Sequence, residues 1–132
     1  MRSVIVFAAL LAASCASSAE RGPSSPSSPG RQEVLAPIDG LDVRVLESSP
    51  PQYMLNVRAG LPSGCAEKNR HETKRGAEAI TVTVLNWMPT GSRPCTMIYG
   101  SYELNINLGS DFRSGVTYSV SVNDKRTTFV AQ

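Results

Sequence analysis

The chain of 132 residues has room for one domain, and its formal charge of +2 is too small to indicate a nucleic-acid partner. A single histidine excludes sites and relays that need several histidines. Three cysteines are an odd number, so one of them needs a role outside a disulfide if the protein is exported.

The first 19 residues have the order of a signal peptide. Arg2 supplies the positive charge, residues 4–13 are uncharged and mostly apolar, and small residues follow. Ten residues make about 15 Å of helix, which is half the thickness of a bilayer core of about 30 Å. The segment therefore predicts export and not a membrane-spanning helix.

The sequence Leu11-Ala12-Ala13-Ser14-Cys15 resembles the lipobox of bacterial lipoproteins. That resemblance implies that Cys15 is diacylated, becomes the mature N-terminus and anchors the protein at the extracytoplasmic side of the cell envelope. The match departs at Ala12, where the family usually has leucine. The alternative is cleavage after Ala19 and secretion, and in both cases the two remaining cysteines are Cys65 and Cys95.

Residues 20–33 are rich in proline, glycine and serine and contain no large apolar side chain. Such a segment buries too little surface to offset its ordering entropy, which predicts a disordered linker. The folded domain is accordingly expected to span residues 34–132.

The domain shows apolar residues that alternate with polar ones at a period of two. The pattern recurs within residues 41–45, 53–58, 80–84, 102–108 and 116–122. This period is typical of antiparallel strands with one buried face. Turn-forming residues separate the runs, including a hairpin turn at 74–77 and another at Asn123-Asp124. No helical stripe of ten residues is present, so the prediction is an all-β, antiparallel sandwich of about seven strands.

The end of the chain resembles an immunoglobulin-like or fibronectin-type domain. The resemblance rests on Leu108, Gly115 and the run from Tyr118 to Asn123, and it implies that Tyr118 is a tyrosine corner. Residues 61–66, 98–100, 108–112 and 128–132 also resemble a group of exported bacterial proteins of unknown role. That second resemblance implies no activity.

Cys65 and Cys95 are expected to form a structural disulfide. No Cys-x-x-Cys motif indicates a redox pair, and one histidine does not complete a zinc site. Closing a ring of about 31 residues is worth about 3–4 kcal/mol in the chain-entropy model.

A basic segment follows Cys65 and contains Lys68, Arg70, Lys74 and Arg75, with His71 among them. One interpretation is a patch that contacts phospholipid headgroups or an acidic polymer. The other is a solvated edge strand whose charges oppose aggregation, with His71 an ordinary exposed histidine.

The loop predicted at residues 87–94 is the candidate binding surface. It holds the only tryptophan, Trp87, together with Met88 and Arg93, and tryptophan and arginine are frequent anchors of protein interfaces. The alternative is that Trp87 covers the open end of the core. The Pro-Thr-Gly sequence at 89–91 has a faint similarity to a loop of chagasin-type protease inhibitors.

No motif of a catalytic elbow, phosphate-binding loop or zinc protease is present. We therefore expect a monomeric, non-enzymatic binding module without metal or cofactor, whose ligand is an unknown protein or envelope component. The alternative is an inhibitor-like or accessory domain that acts on an exported enzyme through residues 87–94.

Overall fold

The computed structural model describes residues 29–132, which form eight β-strands and no helix. The strands are β1 (Arg31–Leu35), β2 (Ile38–Leu46), β3 (Gln52–Leu61), β4 (Glu67–Arg75), β5 (Ala79–Pro89), β6 (Gly100–Gly109), β7 (Thr117–Val122) and β8 (Lys125–Val130). The predicted signal peptide, Cys15 and linker residues 20–28 lie outside the described residues. Within the described part of the chain there is no helix that could cross a membrane.

The strands form two sheets, and β5 is the central strand of the larger one. β4 pairs with β5 along residues 80–87, which occupies one edge of β5. The other edge is shared, because β1 pairs with residues 85–89 and β7 pairs in parallel with residues 79–82. β8 continues this sheet beyond β7, while β2, β3 and β6 form the second sheet. The predicted all-β sandwich is confirmed, with eight strands in place of about seven.

The extra strand is β1, which begins at Arg31. The ordered domain therefore starts before Val34, where the alternation pattern placed its boundary. Residues 31–33 are charged or polar, so composition assigned them to the linker. Their backbone nevertheless pairs with the end of β5, from Arg31 opposite Pro89 to Leu35 opposite Leu85. Hydrogen bonds to a neighbouring strand order this segment even though few of its side chains are buried.

The core consists of the inward-facing residues of the alternating strands. The fully buried aliphatic side chains, each at most 1% exposed, are Leu55, Val57, Val82, Val84, Val120 and Val122. Each contributes about 1.5–3 kcal/mol by leaving water. These residues come from β3, β5 and β7, so the core lies between the two sheets, as the period of two predicted.

One end of the core is filled by four aromatic rings, those of Tyr53, Phe112, Tyr118 and Phe129. Their centroids lie 4.8–5.5 Å apart in the contacting pairs. The hydroxyl of Tyr118 accepts a hydrogen bond from the backbone N–H of Arg113, five residues upstream, at 3.0 Å. This is the tyrosine-corner interaction that the sequence predicted for Tyr118.

A buried asparagine near the end of β5 joins the two sheets. Asn86 is fully buried, and its Nδ2 donates to the carbonyl of Gly60 on β3 at 2.8 Å. Its Oδ1 accepts a hydrogen bond from the hydroxyl of Tyr102 on β6 at 2.6 Å. Burial raises the pKa of Tyr102 above its usual value and so keeps this hydroxyl a donor. No buried side-chain polar atom lacks a partner within residues 29–132.

The predicted disulfide between Cys65 and Cys95 is confirmed, with Cα atoms 5.5 Å apart. It joins the segment after β3 to the segment between β5 and β6. A backbone hydrogen bond from Gly64 to the carbonyl of Thr96, at 2.9 Å, runs beside it. The connection between the two sheets is thus fixed at the same end of the sandwich as Asn86.

We expect Asn86→Leu to lower the free energy of unfolding by about 2–4 kcal/mol, because it leaves a buried carbonyl and a partly buried hydroxyl without partners. Urea unfolding monitored by circular dichroism measures the change. The matched control is Asn105→Leu, on the exposed face of β6, where the loss of a solvent-exposed hydrogen bond from Asn56 costs about 1 kcal/mol or less. Equal losses in the two variants would show that Asn86 has no structural importance beyond its size.

The double variant Cys65→Ser/Cys95→Ser is expected to unfold with a free energy about 3–4 kcal/mol below that of the oxidised protein. The physical reason is the larger conformational freedom of an unfolded chain without the closed ring. Native protein kept in reductant should match the double variant, which provides a control without substitution. A loss well below about 1 kcal/mol would contradict a stabilising role.

Candidate functional site

The predicted binding loop begins three residues later than the sequence indicated. Trp87, Met88 and Pro89 belong to β5, and the exposed segment starts at Thr90. Strand β5 extends this far because β1 pairs with its last five residues. Trp87 therefore lies within a strand. It does not cover the open end of the core, which is the position that the alternative interpretation gives it.

Trp87 lies on the outer face of the larger sheet. It follows the inward-pointing Asn86 and shares its face with Leu85, since successive residues of a strand point to opposite sides. Glu33 of β1 and Glu67 of β4 are its cross-strand neighbours. The indole is half-buried on a surface and not in the core, which leaves part of it accessible to a partner.

Trp87 forms part of a cleft of about 290 Å³ beside the disulfide. Its lining includes Arg31, Cys65, Glu67, Trp87, Met88 and Arg93. These residues come from β1, β4, β5 and the segments that Cys65 and Cys95 connect. The disulfide therefore holds the 90–94 segment, which carries Arg93, against the sheet that carries Trp87.

Two ion pairs bridge β1 and β4 across β5 near this cleft. Arg31 Nη1 lies 2.8 Å from Glu67 Oε2, and Arg70 Nε lies 2.7 Å from Glu33 Oε1. The hydrogen bonds that Arg70 donates to Glu33, and then to Glu72, raise the pKa of Arg70 above its usual value. Ion pairs at a protein surface contribute little stability, so the main effect of these two is to position side chains.

Arg93 differs from the other arginines at this end of the domain. Within residues 29–132 its guanidinium makes no ion pair and no hydrogen bond. Exposed in the segment after β5, it borders the cleft together with Trp87. The cleft thus offers an unpaired cation, an aromatic surface and the apolar side chain of Met88.

The predicted basic patch is dispersed. Arg75 is exposed, but its guanidinium lies 4.1 Å from the centroid of the Phe112 ring and donates to the carbonyls of Leu108 and Asp111. Lys68 lies over the ring of Tyr102 at 5.7 Å, and Arg70 forms ion pairs with two glutamates. Lys74 remains exposed. A register shift between Lys68 and His71 contributes to sending these side chains to different faces.

Strand β4 pairs only with β5, which confirms that the charged segment is an edge strand. His71 is exposed there, as expected of an ordinary surface histidine. Within the part of the chain that the structure describes, no three His, Cys, Asp or Glu side chains are grouped to hold a metal ion. Because the cations are dispersed and no metal ligands are grouped among the described residues, we take the Trp87 cleft as the candidate site.

Two regions at this end of the domain have a role that their local sequence does not indicate. The sequence pattern places Arg31 in the linker and Glu67 in the charged segment, yet both line the cleft.

The run Met97-Ile98-Tyr99 is exposed, although its apolar character resembles that of a strand. The hydroxyl of Tyr99 donates to Asp39 at 2.8 Å, which raises the pKa of Tyr99 above its usual value. In the sequence, only its place shortly after Cys95 distinguishes this run from a core strand.

The comparison with protein families gives one match. The family model of the ORF11 beta-sandwich domain matches residues 55–131, which extend from within β3 to the end of β8. No curated protein and no solved structure matches the chain. The matched region includes both disulfide cysteines, Trp87 and Arg93, whereas Arg31 lies before it. Because the match covers more than half of the sequence, the chain belongs to the ORF11 beta-sandwich domain family.

Proposed function

We propose that this protein is a non-enzymatic binding module, anchored at the cell envelope by a lipid on Cys15, whose partner occupies the Trp87 cleft. The observation that carries the proposal is the position of a half-buried Trp87 beside the unpaired Arg93. Tryptophan and arginine are the side chains most often found as energetic anchors in interfaces. The disulfide at the wall of the cleft reduces the ordering cost of binding.

The size of the cleft favours a protein partner over a large cofactor. Its volume of about 290 Å³ is at the lower limit for small-molecule sites, which range from about 300 to 1,000 Å³. A cleft of this size suits one side chain of a partner, or one small group of a larger ligand. The accessible indole and Arg93 favour a group that combines a flat or apolar surface with a negative charge.

A second candidate function is inhibition of, or assistance to, an exported enzyme. The exposed segment 90–94 supports it, because both of its ends are fixed. Thr90 donates its backbone N–H to the carbonyl of Gly30 at 3.0 Å, and Cys95 is held by the disulfide. A loop with fixed ends can enter a groove of an enzyme at low entropic cost. The two functions differ in one observable: an inhibitory domain lowers the turnover of its captured partner.

Capture of partners from an envelope extract tests the cleft. We expect Trp87→Ala to weaken retention of a specific partner by about thirtyfold and Arg93→Ala by about tenfold, as is typical of interface anchors. The matched controls are Leu85→Ala, on the same strand and face as Trp87, and Arg126→Ala, an exposed arginine on β8. If both cleft variants retain the same proteins as the native chain, the cleft is not the binding site. Unfolding midpoints establish that the variants are folded.

The lipid anchor has its own test. We expect the mature protein to begin at Cys15 and to carry the mass of a diacylglycerol, and we expect globomycin to block its processing. Intact-mass spectrometry and N-terminal sequencing of protein from membranes measure both. Cys15→Ser is the matched variant and should lose the lipid mass. A native mature N-terminus at Glu20 would show ordinary signal-peptide cleavage and would remove the anchor from the proposal.

A further inference from the structure

Three consecutive apolar side chains protrude from the segment between β5 and β6. Met97 is 88% exposed, Ile98 71% and Tyr99 52%, and we call these three residues the apolar tip. Within residues 29–132 Met97 is the most exposed large hydrophobic residue. Single apolar residues on a surface are ordinary, but a contiguous exposed run indicates an interaction site.

The apolar tip is held rigidly in its exposed position. Cys95 fixes its beginning, and the side chain of Thr96 packs so closely on Gly64 that a Cβ there would lie 2.0 Å from Thr96 Oγ1. At its end, Tyr99 bonds to Asp39, and a Cβ on Gly60 would lie 1.8 Å from the Tyr99 hydroxyl. Two glycines thus provide the space that seats the tip. Because the tip is ordered before it meets a partner, binding costs little conformational entropy.

The tip lies at the end of the sandwich where the chain leads to the predicted anchor. Arg31 pairs with Pro89, and Gly30 bonds to Thr90, so the start of the domain is next to the segment that carries the tip. Thirteen residues lie between Cys15 and Pro29. Even a fully extended connection of that length spans at most about 50 Å. A lipid on Cys15 would therefore keep the domain within that distance of the bilayer.

The charges at this end favour an anionic surface. Arg93 has no ion pair within the described residues, and the ammonium group of Lys68 lies over the Tyr102 ring. Of the acidic groups here, Glu67 pairs with Arg31, whereas Asp39 keeps its charge while it accepts a hydrogen bond from Tyr99. The two cations therefore outnumber the one acidic group that has no ion pair. Cations beside an apolar protrusion are the combination that binds the headgroup region of anionic membranes.

We propose that the apolar tip inserts into the headgroup region of an anionic bilayer and that Arg93 and Lys68 contact its phosphates. This inference rests on the proposed anchor for the proximity of the membrane. The diacylated Cys15 then holds the protein on the membrane, and the tip adds a second contact that orients the domain. The domain then stands on the membrane in one orientation, with the apolar tip down.

Oxidation of methionine by hydrogen peroxide tests the insertion in the native sequence. Peroxide converts an accessible methionine to its sulfoxide, and the rate follows exposure. In water Met97 should oxidise faster than Met54, which is half-buried on the outer face of β3. When the full chain is reconstituted in vesicles of phosphatidylethanolamine and phosphatidylglycerol, we expect the order of these rates to reverse. Met97 should then oxidise more slowly than Met54. Mass spectrometry of peptides measures both rates in one molecule.

Two variants sharpen the experiment. Ile98→Ser should restore fast oxidation of Met97 on the same vesicles, because it removes apolar area from the tip without touching the disulfide. Arg93→Ser should do so in part, and high salt should reproduce its effect. The equivalent change Val130→Ser, at an exposed position of β8, is the control and should leave the reversed order intact. Met97 that still oxidises faster than Met54 on vesicles overturns the proposal.

The intact mass of the same sample separates this inference from the anchor. If the protein is lipidated and Met97 stays fast, the anchor stands and the insertion is wrong. If the protein is not lipidated, vesicles added to it still test the tip, and a reversed order supports insertion without the anchor. Fast oxidation on vesicles that slows only with envelope proteins present assigns the tip to a protein partner and overturns membrane insertion.

Discussion

The position of Asn86 is the constraint on which the rest of the structure depends. Its amide must be buried to reach Gly60 and Tyr102 on the opposite sheet, and a buried amide without partners is costly. This requirement sets which face of β5 points inward. A shift by one residue would place Trp87 in the core and leave Asn86 in water. The position of Trp87 on the outer face of the sheet is therefore a consequence of hydrogen bonds in the interior.

Strand β5 connects this interior constraint to both proposed surfaces. Its inward residues form the core, its outward residues present Trp87, and its continuation carries Arg93 and the apolar tip. The disulfide then fixes that continuation against the segment after β3. One end of the sandwich thus collects the cleft, the tip and the start of the domain. A partner of the cleft would have to be accessible close to whatever surface the tip contacts.

Local sequence patterns were sufficient for much of this fold. The period of two identified five of the eight strands, and turn residues identified the β4–β5 and β7–β8 hairpins. The cysteine count predicted the disulfide, and Tyr118 was recognised from its place after Gly115. The strands, the turns and the tyrosine corner depend on neighbours in sequence, and the disulfide depends on the only two cysteines that remain after Cys15. For that reason they could be predicted without knowing the tertiary structure.

The remaining features depend on contacts between distant segments. β1 carries charged residues, and only its pairing with β5 makes it a strand. The basic residues of β4 are contiguous in sequence and predict one patch, but Glu33, Phe112 and Tyr102, all from other segments, draw its cations apart. Pro89 and Gly91 predict a loop that includes Trp87, whereas pairing with β1 extends β5 as far as Pro89. Each difference has the same physical origin, which is a partner that the local sequence does not contain.

The pairing of β1 with β5 also bears on how fast the domain forms. Leu35 and Leu85 pair across β1 and β5 although they are fifty positions apart in the sequence. The rest of the same edge of β5 pairs with β7, which is still farther along the chain. Sheets built from such nonlocal pairs fold slowly, since the entropy of closing long loops is lost before the contacts form. β1 is the first strand to leave the ribosome, and until β5 follows it has unpaired backbone groups. Its charges, Arg31 and Glu33, then oppose association with other chains during that interval.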